Sequence, residues 1–220
     1  MKLYGYWRSS SAWRIRIALG LKGIAHEYEA VNLARDGGQQ NKAPFLAVNP
    51  QSQVPVLELA PRPGESAPRR IAQSMAILEY LEEQFPTPAL LPADPWLRAR
   101  CRQLAELVNS GVQPFQNLPV LNHVKDVLKG DEIAWVKHFI TRGLTAMETL
   151  AGETAGKFLI GDAPTFADVY LVPQMFSARR FTVDIAAFPT LLRAEASCAA
   201  LPAFFAAHAD QQADKPPAGG

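Results

Sequence analysis

A proline-rich segment divides this chain into two parts with different sequence patterns. Residues 85–92 read FPTPALLP, and three prolines within eight residues are typical of a stiff linker. Before this segment, strand-like and helix-like stretches alternate, whereas almost every later stretch has helical periodicity. The pattern predicts an α/β domain over residues 1–84 and an all-α domain over residues 93–209. Residues 210–220 (DQQADKPPAGG) have the composition of a disordered tail.

The first part of the chain predicts a small mixed sheet with helices packed against it. Candidate strands, chosen by alternation and by flanking turn residues, are residues 2–6, 27–31, 54–59 and 70–72. One helix follows the first strand, and a second helix with Ser74 as its N-cap follows the last. A polar, proline-rich loop at residues 60–70 has no role that the sequence assigns.

Charge and cysteine content exclude several classes of function. The formal net charge is +1, and the basic residues are spread along the chain, so neither a nucleic-acid-binding stripe nor a polybasic membrane patch is predicted. Cys101 and Cys198 are too far apart for a metal-ligand motif, so no metal site is predicted. The sequence shows no apolar leader and no membrane-spanning run, which favours a cytoplasmic protein.

The stretch after the first strand is a candidate anion site. Residues 7–19 read WRSSSAWRIRIAL, in which three serines precede an apolar-periodic helix. A helix N-terminus carries unpaired N–H groups and a partial positive charge, so it attracts an anion such as a thiolate. Serines are also ordinary N-caps, so this stretch alone is compatible with a purely structural role.

Two further motifs in the first part have both a structural and a ligand-binding interpretation. Val54-Pro55 is compatible with a plain strand start, whereas a cis bond there would turn the Val54 backbone outward to pair with an extended peptide-like ligand. Gln73-Ser74 lies at a strand-to-helix turn, which is compatible with a plain N-cap or with a carboxylate site.

The second part carries three motifs of the same ambiguous kind. Arg179 and Arg180 complement a helix dipole or grip a substrate carboxylate. Gln113 and Asn117 either satisfy each other or line a wet cleft. The spacing of Thr165 and Asp168 predicts a capping box, which is a structural feature.

Taken together, six motifs resemble the zeta class of the glutathione transferases. They are RSSSAWR at residues 8–14, DGGQQ at 36–40, NPQSQVP at 49–55, QS at 73–74, QPFQN at 113–117 and LVPQ at 171–174. The resemblance covers residues 2–207. It implies a thioredoxin-like N-terminal domain, an all-α C-terminal domain, glutathione as cofactor and a homodimer. The implied reaction is cis–trans isomerisation of a maleyl keto dicarboxylate, either maleylacetoacetate in aromatic amino acid catabolism or maleylpyruvate.

The resemblance also assigns roles to individual residues. Ser9 matches the serine that activates the thiol, with Ser10 beside it, and Val54 matches the residue whose backbone pairs with the cysteinyl part of glutathione. Gln73 and Ser74 match the γ-glutamyl site. Further glutathione-side positions are Gln40, Gln53, Gln113 and Asn117. The arginines that match those gripping substrate carboxylates are Arg8 and Arg180.

One position departs from the family pattern. Zeta enzymes usually carry cysteine where this chain has Ser11, which completes the serine cluster of the candidate catalytic motif. In the family that cysteine modulates isomerisation, so the implied isomerase activity is retained. Reductive dehalogenation, which in some relatives needs a protein thiol, is not expected.

The implied chemistry is energetically reasonable for Ser9. To lower the pKa of a thiol by about two units from its ordinary value near 8.5, a site must stabilise the thiolate over the thiol by roughly 2.7 kcal/mol. One hydrogen bond from Ser9 and the helix field are of that size. The thiolate would add to the cis double bond, allow rotation and leave, while Arg8 and Arg180 hold the carboxylates. If the adduct does not eliminate, the same site conjugates electrophiles.

A third class of function, a non-catalytic interaction module, predicts loss of the glutathione positions. Ser9, Val54 and Ser74 are all retained, which argues against it.

Overall fold

The computed structural model describes residues 1–217, which form two compact units. The first unit combines residues 1–88 with the described residues from Pro202 onward, and the second is Ala89–Leu201. The sequence analysis placed residues 202–209 in the second domain. The structure groups them with the first unit because helical residues 202–207 pack against the first helix of the chain.

The first unit contains a four-stranded mixed sheet. Its strands, in chain order, are β1 (Lys2–Gly5), β2 (Glu27–Ala30), β3 (Val56–Leu59) and β4 (Arg69–Ala72). The spatial order is β2-β1-β3-β4, in which β1 and β2 are parallel and the β1–β3 and β3–β4 pairs are antiparallel. This is the small mixed sheet that the sequence predicts.

Nine α-helices accompany the sheet in residues 1–217. They are α1 (Ser10–Leu21), α2 (Ala43–Leu46), α3 (Ser74–Gln84), α4 (Pro95–Asn109), α5 (Leu118–Asn122), α6 (Glu132–Ala151), α7 (Phe166–Arg180), α8 (Pro189–Ala199) and α9 (Pro202–Ala207). Short 3-10 turns lie at Arg35–Gly37, Gln39–Asn41, Gln113–Gln116 and Ala209–Gln211, and a π-helical turn lies at His123–Val127.

Helix α1 is the centre of the first unit. It packs against α3 and α9, and every residue from Ala12 to Leu19 is buried. Two of these buried residues, Arg14 and Arg16, are cationic, so their guanidinium groups need partners inside the unit. The buried apolar residues of the sheet include Leu3 and Leu57.

The second unit is a helical bundle built around α7, which contacts α4, α6 and α8. Most of α7 is buried, and its start is held by the predicted capping box. Oδ2 of Asp168 accepts hydrogen bonds from the Thr165 backbone N–H (2.8 Å) and hydroxyl (2.9 Å), and Oδ1 accepts one from the Leu159 N–H (2.9 Å). The all-α character of this unit agrees with its sequence pattern.

Two local expectations differ from the structure. Ser74 is the first residue of α3 rather than its cap, because Gln73 occupies the N-cap position with a φ of 73°. The tail after Asp210 is held in place as far as the structure describes it, since Gln212 and Asp214 both bond to residues of the first unit. Residues 218–220 of that predicted disordered tail lie outside the described residues.

No helix in residues 1–217 has the length and apolar character needed to cross a bilayer. The same residues contain no group of three or more His, Cys, Asp or Glu side chains placed to hold a metal ion.

Candidate active site

Four chain segments meet at one end of the sheet. In the strand register, Gly5 lies beside Ala30, Tyr4 opposes Val56, and Val56 opposes Ala72. The ends of β1, β2 and β4 therefore lie at the same edge as the start of β3. This edge collects most of the site residues that the sequence predicts in the first unit, because they follow or precede these strand ends.

Ser9 is the N-cap of α1. Its backbone is extended (φ −68°, ψ 114°), and its Oγ accepts a hydrogen bond from the Ala12 N–H at 3.2 Å. A hydroxyl that accepts from the helix keeps its own proton for donation to another group. The structural and the functional interpretations of this serine are therefore compatible, since the same oxygen can cap the helix and donate outward.

The field around Ser9 favours an anion. Ser10 and Ser11 form the first turn of α1, which carries no acidic residue, and both are half-buried. Because helix N-termini carry a partial positive charge, a thiolate beside Ser9 is stabilised by the backbone as well as by the hydroxyl. The guanidinium of Arg8 lies over the Trp7 ring, 5.2 Å from its centroid, next to this turn.

Val54 presents unpaired backbone groups at the same edge. The Val54–Pro55 peptide bond is cis, and among the described residues neither the N–H nor the C=O of Val54 is hydrogen-bonded. A half-buried backbone donor and acceptor without partners are suited to pair with the backbone of an extended ligand.

The loop before β3 is tied to both neighbouring segments. The Ser52 hydroxyl donates to the Gln40 carbonyl at 2.8 Å, and Gln51 Oε1 accepts from Gln73 Nε2 at 2.8 Å. Asn49 Nδ2 donates to the Gln53 carbonyl at 2.8 Å. These bonds hold the segments carrying Gln40, Gln53 and Gln73 together, as expected for parts of one site.

The Gln40 side-chain amide is packed at the same edge and is only partly hydrogen-bonded. Its Nε2 is 3.4 Å from the Leu33 carbonyl, whereas its Oε1 is buried and has no hydrogen-bond partner among the described residues. The amide lies against Gly38, where an added Cβ would come 2.3 Å from Gln40 Nε2. The Val54 backbone, beside this amide, fits a peptide-like molecule such as glutathione.

Arg14 is a site component that the sequence analysis did not single out. It is fully buried, and its Nη1 donates to the Ser74 hydroxyl at 3.1 Å. Through this bond the arginine fixes the Ser74 hydroxyl at the strand-to-helix turn, at a position that the resemblance matches to the γ-glutamyl site. The signal was an arginine on the apolar face of a predicted helix, which needs a buried partner.

The remaining predicted residues belong to the second unit. Gln113 Nε2 donates to Asn117 Oδ1 at 2.6 Å, so these two amides do pair with each other, as one of the two interpretations proposed. Arg179 forms a two-pronged ion pair with Glu195 (2.6 and 2.5 Å), whereas the Arg180 guanidinium lies 4.9 Å from the centre of the Phe181 ring. The sheet edge described above does not include these residues.

Neither cysteine is a reactive group. Cys101 and Cys198 are free and buried. Burial raises the pKa of the Cys101 thiol to about 11 and raises that of Cys198 as well. Because only the thiolate is nucleophilic, neither side chain offers a protein nucleophile near neutral pH.

Comparison with known proteins agrees with this geometry. The family model described as "Glutathione S-transferase, N-terminal domain" matches residues 8–84. Maleylacetoacetate isomerase of Rattus norvegicus is 46% identical over 214 residues, covering 97% of this chain and 94% of the relative. Maleylpyruvate isomerase of Ralstonia sp. is 43% identical over 209 residues, covering 93% of this chain and 94% of the relative.

Two crystal structures of maleylacetoacetate isomerase from Anaeromyxobacter dehalogenans are also similar. The one with glutathione bound in its active site has a TM-score of 0.89 at 53% identity. The one with dicarboxyethyl glutathione and citrate has a TM-score of 0.87 at 52% identity. Each alignment covers 98% of this chain and 97% of the other.

The mixed sheet, the serine-capped helix and the helical second unit define a glutathione transferase, as the resemblance implied. Within that superfamily, the chain belongs to the zeta-class family of maleylacetoacetate isomerases.

Proposed function

We propose that this protein catalyses the glutathione-dependent cis–trans isomerisation of maleylacetoacetate to fumarylacetoacetate. The observation that carries the proposal is the Ser9 hydroxyl at the start of α1, which accepts from Ala12 and keeps its proton for an anion. When bound, glutathione supplies a thiolate that adds reversibly to the double bond conjugated to the ketone. Glutathione is therefore a cofactor that the reaction does not consume.

The residues of the sheet edge bind and orient the cofactor. The Val54 backbone holds the middle of the tripeptide, and Ser74 with Gln73 holds its γ-glutamyl carboxylate at the start of α3. Ser9 donates to sulfur with Ser10 and Ser11 beside it, and Gln40 and Gln53 contact the rest of the molecule. The family resemblance assigns further glutathione contacts to Gln113 and Asn117. Ser9 acts as a donor, since an ordinary hydroxyl is far too weakly acidic to serve as its base.

The substrate class follows from two arginines and from the relatives. Arg8 and Arg180 hold the two carboxylates, and their charge stabilises negative charge that develops on the substrate. The similar protein from Anaeromyxobacter dehalogenans holds dicarboxyethyl glutathione and citrate in its active site. Carboxylate groups bound beside glutathione in that relative support a carboxylate-bearing substrate here.

We also propose a cytoplasmic homodimer that works in tyrosine and phenylalanine catabolism. The support is the family membership, since the products of aromatic ring opening include maleyl keto acids. Maleylpyruvate is the alternative substrate, because a relative named for that activity is 43% identical. Conjugation of electrophiles would use the same Ser9 and differ only in the fate of the adduct.

The first experiment follows maleylacetoacetate by its absorbance, coupled to fumarylacetoacetate hydrolase, with and without catalytic glutathione. Turnover that needs glutathione but leaves its concentration unchanged supports the isomerase. Loss of glutathione in step with substrate indicates conjugation, and turnover of maleylpyruvate alone indicates the other isomerase.

Three Ser9 variants separate capping from catalysis. S9A removes both the helix cap and the hydroxyl donor. We therefore expect it to lose about 1 kcal/mol of unfolding free energy, from the cap, and most of the turnover, from the donor. S9D keeps a good cap, but its charge opposes a thiolate, so a stable and inactive protein is expected. S9T keeps both the cap and a hydroxyl. Unchanged kinetics in S9A and S9D would remove Ser9 from the mechanism.

A further inference from the structure

The segment that follows α9 closes against the loop that carries Ser9. Gln212 Nε2 donates to the carbonyls of Ala206 (2.9 Å) and His208 (3.0 Å), and the Lys215 N–H donates to the Gln212 carbonyl at 3.1 Å. Lys215 also forms an ion pair with Asp210 at 2.7 Å. These bonds give residues 212–215 a defined turn, with Asp214 inside it.

Asp214 reaches across to the start of the site. Its Oδ2 accepts a hydrogen bond from the Trp7 backbone N–H at 2.8 Å and lies 3.4 Å from the Tyr28 hydroxyl. Trp7 lies two residues before Ser9, in the loop between β1 and α1. The contact therefore acts on the short backbone segment from which the Ser9 side chain projects.

Arg16 holds the carbonyl groups of the same loop. Its Nη1 donates to the Tyr6 carbonyl (3.3 Å), its Nη2 to the Trp7 carbonyl (2.9 Å) and its Nε to the Ala207 carbonyl (3.2 Å). Arg16 is only 6% exposed, and burial lowers its pKa to about 10 although Tyr28 and Asp214 act to raise it. Trp7 therefore has its carbonyl bound by Arg16 and its N–H bound by Asp214.

The packing around Tyr28 is adapted to this arrangement. An added Cβ at Gly5 would lie 2.8 Å from Tyr28 Cε2 and 3.1 Å from its hydroxyl. Because Gly5 has no side chain, the tyrosine ring lies close against the end of β1 and its hydroxyl reaches Asp214. We call Arg16, Tyr28 and Asp214 the loop clamp.

We propose that Asp214 is a positioning residue for the reaction. By binding the Trp7 N–H opposite Arg16, it fixes the backbone before Ser9 and so sets where the Ser9 hydroxyl meets the sulfur of glutathione. The inference rests on the proposed role of Ser9. A hydrogen bond to a thiolate depends steeply on its length and angle, so a loose loop stabilises the thiolate less.

The test measures the pKa of the thiol of bound glutathione from the ultraviolet absorbance of the thiolate, at saturating glutathione. D214A removes the acceptor, and we expect the thiol pKa to rise by about half a unit to one unit. D214N keeps an acceptor oxygen, so the thiol pKa in this variant should lie close to the wild-type value. D126N is the control, because it changes an exposed carboxylate on the π-helical turn that takes no part in the loop clamp or in the turn around Asp214, and it should match the wild type.

Melting temperatures identify variants that are simply unstable, and the thiol pKa is read only on folded, glutathione-bound protein. Y28F keeps the ring and removes one donor to Asp214, so a smaller shift in the same direction is expected from it. A wild-type thiol pKa in D214A and Y28F, alongside a raised one in S9A, overturns the proposal. A wild-type value in S9A itself instead overturns the proposed role of Ser9, and the inference falls with it.

Discussion

At the scale of single residues, one hydroxyl serves both the fold and the chemistry. Ser9 Oγ accepts from the Ala12 N–H, which stabilises the start of α1 and at the same time directs the serine proton outward. Ser74 is arranged in a comparable way, since Arg14 donates to its oxygen. In each case a donor from the protein binds the hydroxyl oxygen and fixes its position at the start of a helix.

Adjacent arginines at the end of α7 are in different situations. Arg179 is committed to a two-pronged pair with Glu195, and the hydrogen bond to that carboxylate raises its pKa. Arg180 instead lies over the face of Phe181. A charge already bound by a carboxylate is poorly suited to hold a second one, so the pair with Glu195 argues against Arg179 as the substrate-binding residue.

We expect R180A to raise KM for maleylacetoacetate about tenfold or more, because loss of a charge-assisted hydrogen bond costs roughly 1.5–3 kcal/mol. Conjugation of a neutral electrophile should be unaffected. R179A is the matched control and should leave KM for both substrates near the wild-type value. Steady-state kinetics on the two substrates distinguish these outcomes, and equal KM changes in both variants would contradict the assignment.

At the scale of elements, the strands and long helices are predictable because their patterns are local. All four predicted strands are present within a residue or two, and the capping box of α7 depends on residues three apart. One feature depends on the backbone of a single residue instead. Gln73 adopts a positive φ, which is uncommon for glutamine and is not indicated by the sequence, and α3 therefore begins at Ser74 with Gln73 as its N-cap.

The site was predictable for a different reason and to a different extent. Residues such as Ser9, Val54 and Gln73 lie at strand ends, so the sheet register brings their segments together. Arg14 could not be placed from the sequence, since its partner Ser74 is 60 residues away. The sheet register brings the segments of the first unit together, but the site role of every predicted residue remains a prediction.

The capping box of α7 predicts a pH effect on stability. Asp168 is fully buried, and burial raises the pKa of its carboxyl to about 6, although the N–H and O–H groups that donate to it act to lower that pKa. The unfolded carboxyl ionises near its ordinary value, so between these two pKa values the folded state binds more protons. The stabilisation is therefore complete below about pH 4 and is lost as the pH rises through about 6.

The measurement compares urea unfolding of the wild type and D168N between pH 5 and 7.5. D168N has no titrating group at this position, so the stability advantage of the wild type should shrink as the pH rises. D162N is a suitable control, because Asp162 accepts from the Lys157 N–H in an exposed contact and is not part of the capping box. An advantage that stays constant between pH 5 and 7.5 would contradict the raised pKa of Asp168, because both states would then be ionised throughout that range.

At the scale of the whole molecule, bonds between distant parts of the chain complete the first unit. The contact between Trp7 and Asp214 spans 207 positions, and composition alone favoured disorder for the segment that makes it. The polar residues of this segment are used to bind a loop backbone. Composition reports how little apolar surface a segment can bury, but it does not report such polar contacts.

A buried lysine holds the chain where it leaves the first unit. The Lys22 side chain is fully buried, and its Nζ contacts Glu82 Oε2 (2.7 Å) and the carbonyls of Phe85 (2.6 Å) and Pro88 (2.8 Å). All three ammonium donors are therefore used. Lys22 thus connects the end of α1, the end of α3 and the predicted linker.

We expect K22M to lose about 3–5 kcal/mol of unfolding free energy, because it leaves the Glu82 carboxylate buried without its cation. The double variant K22M/E82M should recover part of that loss. Urea titration followed by tryptophan fluorescence measures both. K42M, at an exposed lysine before α2, is the matched control and should be close to the wild type. A loss below about 1 kcal/mol in K22M would contradict a buried pair of this kind.

The composition of the first unit from two separated stretches of chain has a consequence for biosynthesis. Domains generally fold in the order in which the ribosome releases them, but here residues 1–88 lack α9 and Asp214 until residues 89–201 have been synthesised. Until the second unit has been synthesised, the surface of α1 that α9 later covers therefore stays exposed. A chain interrupted before residue 202 would carry Ser9 on an incomplete unit, which makes it a substrate for chaperones and proteases rather than a partly active enzyme.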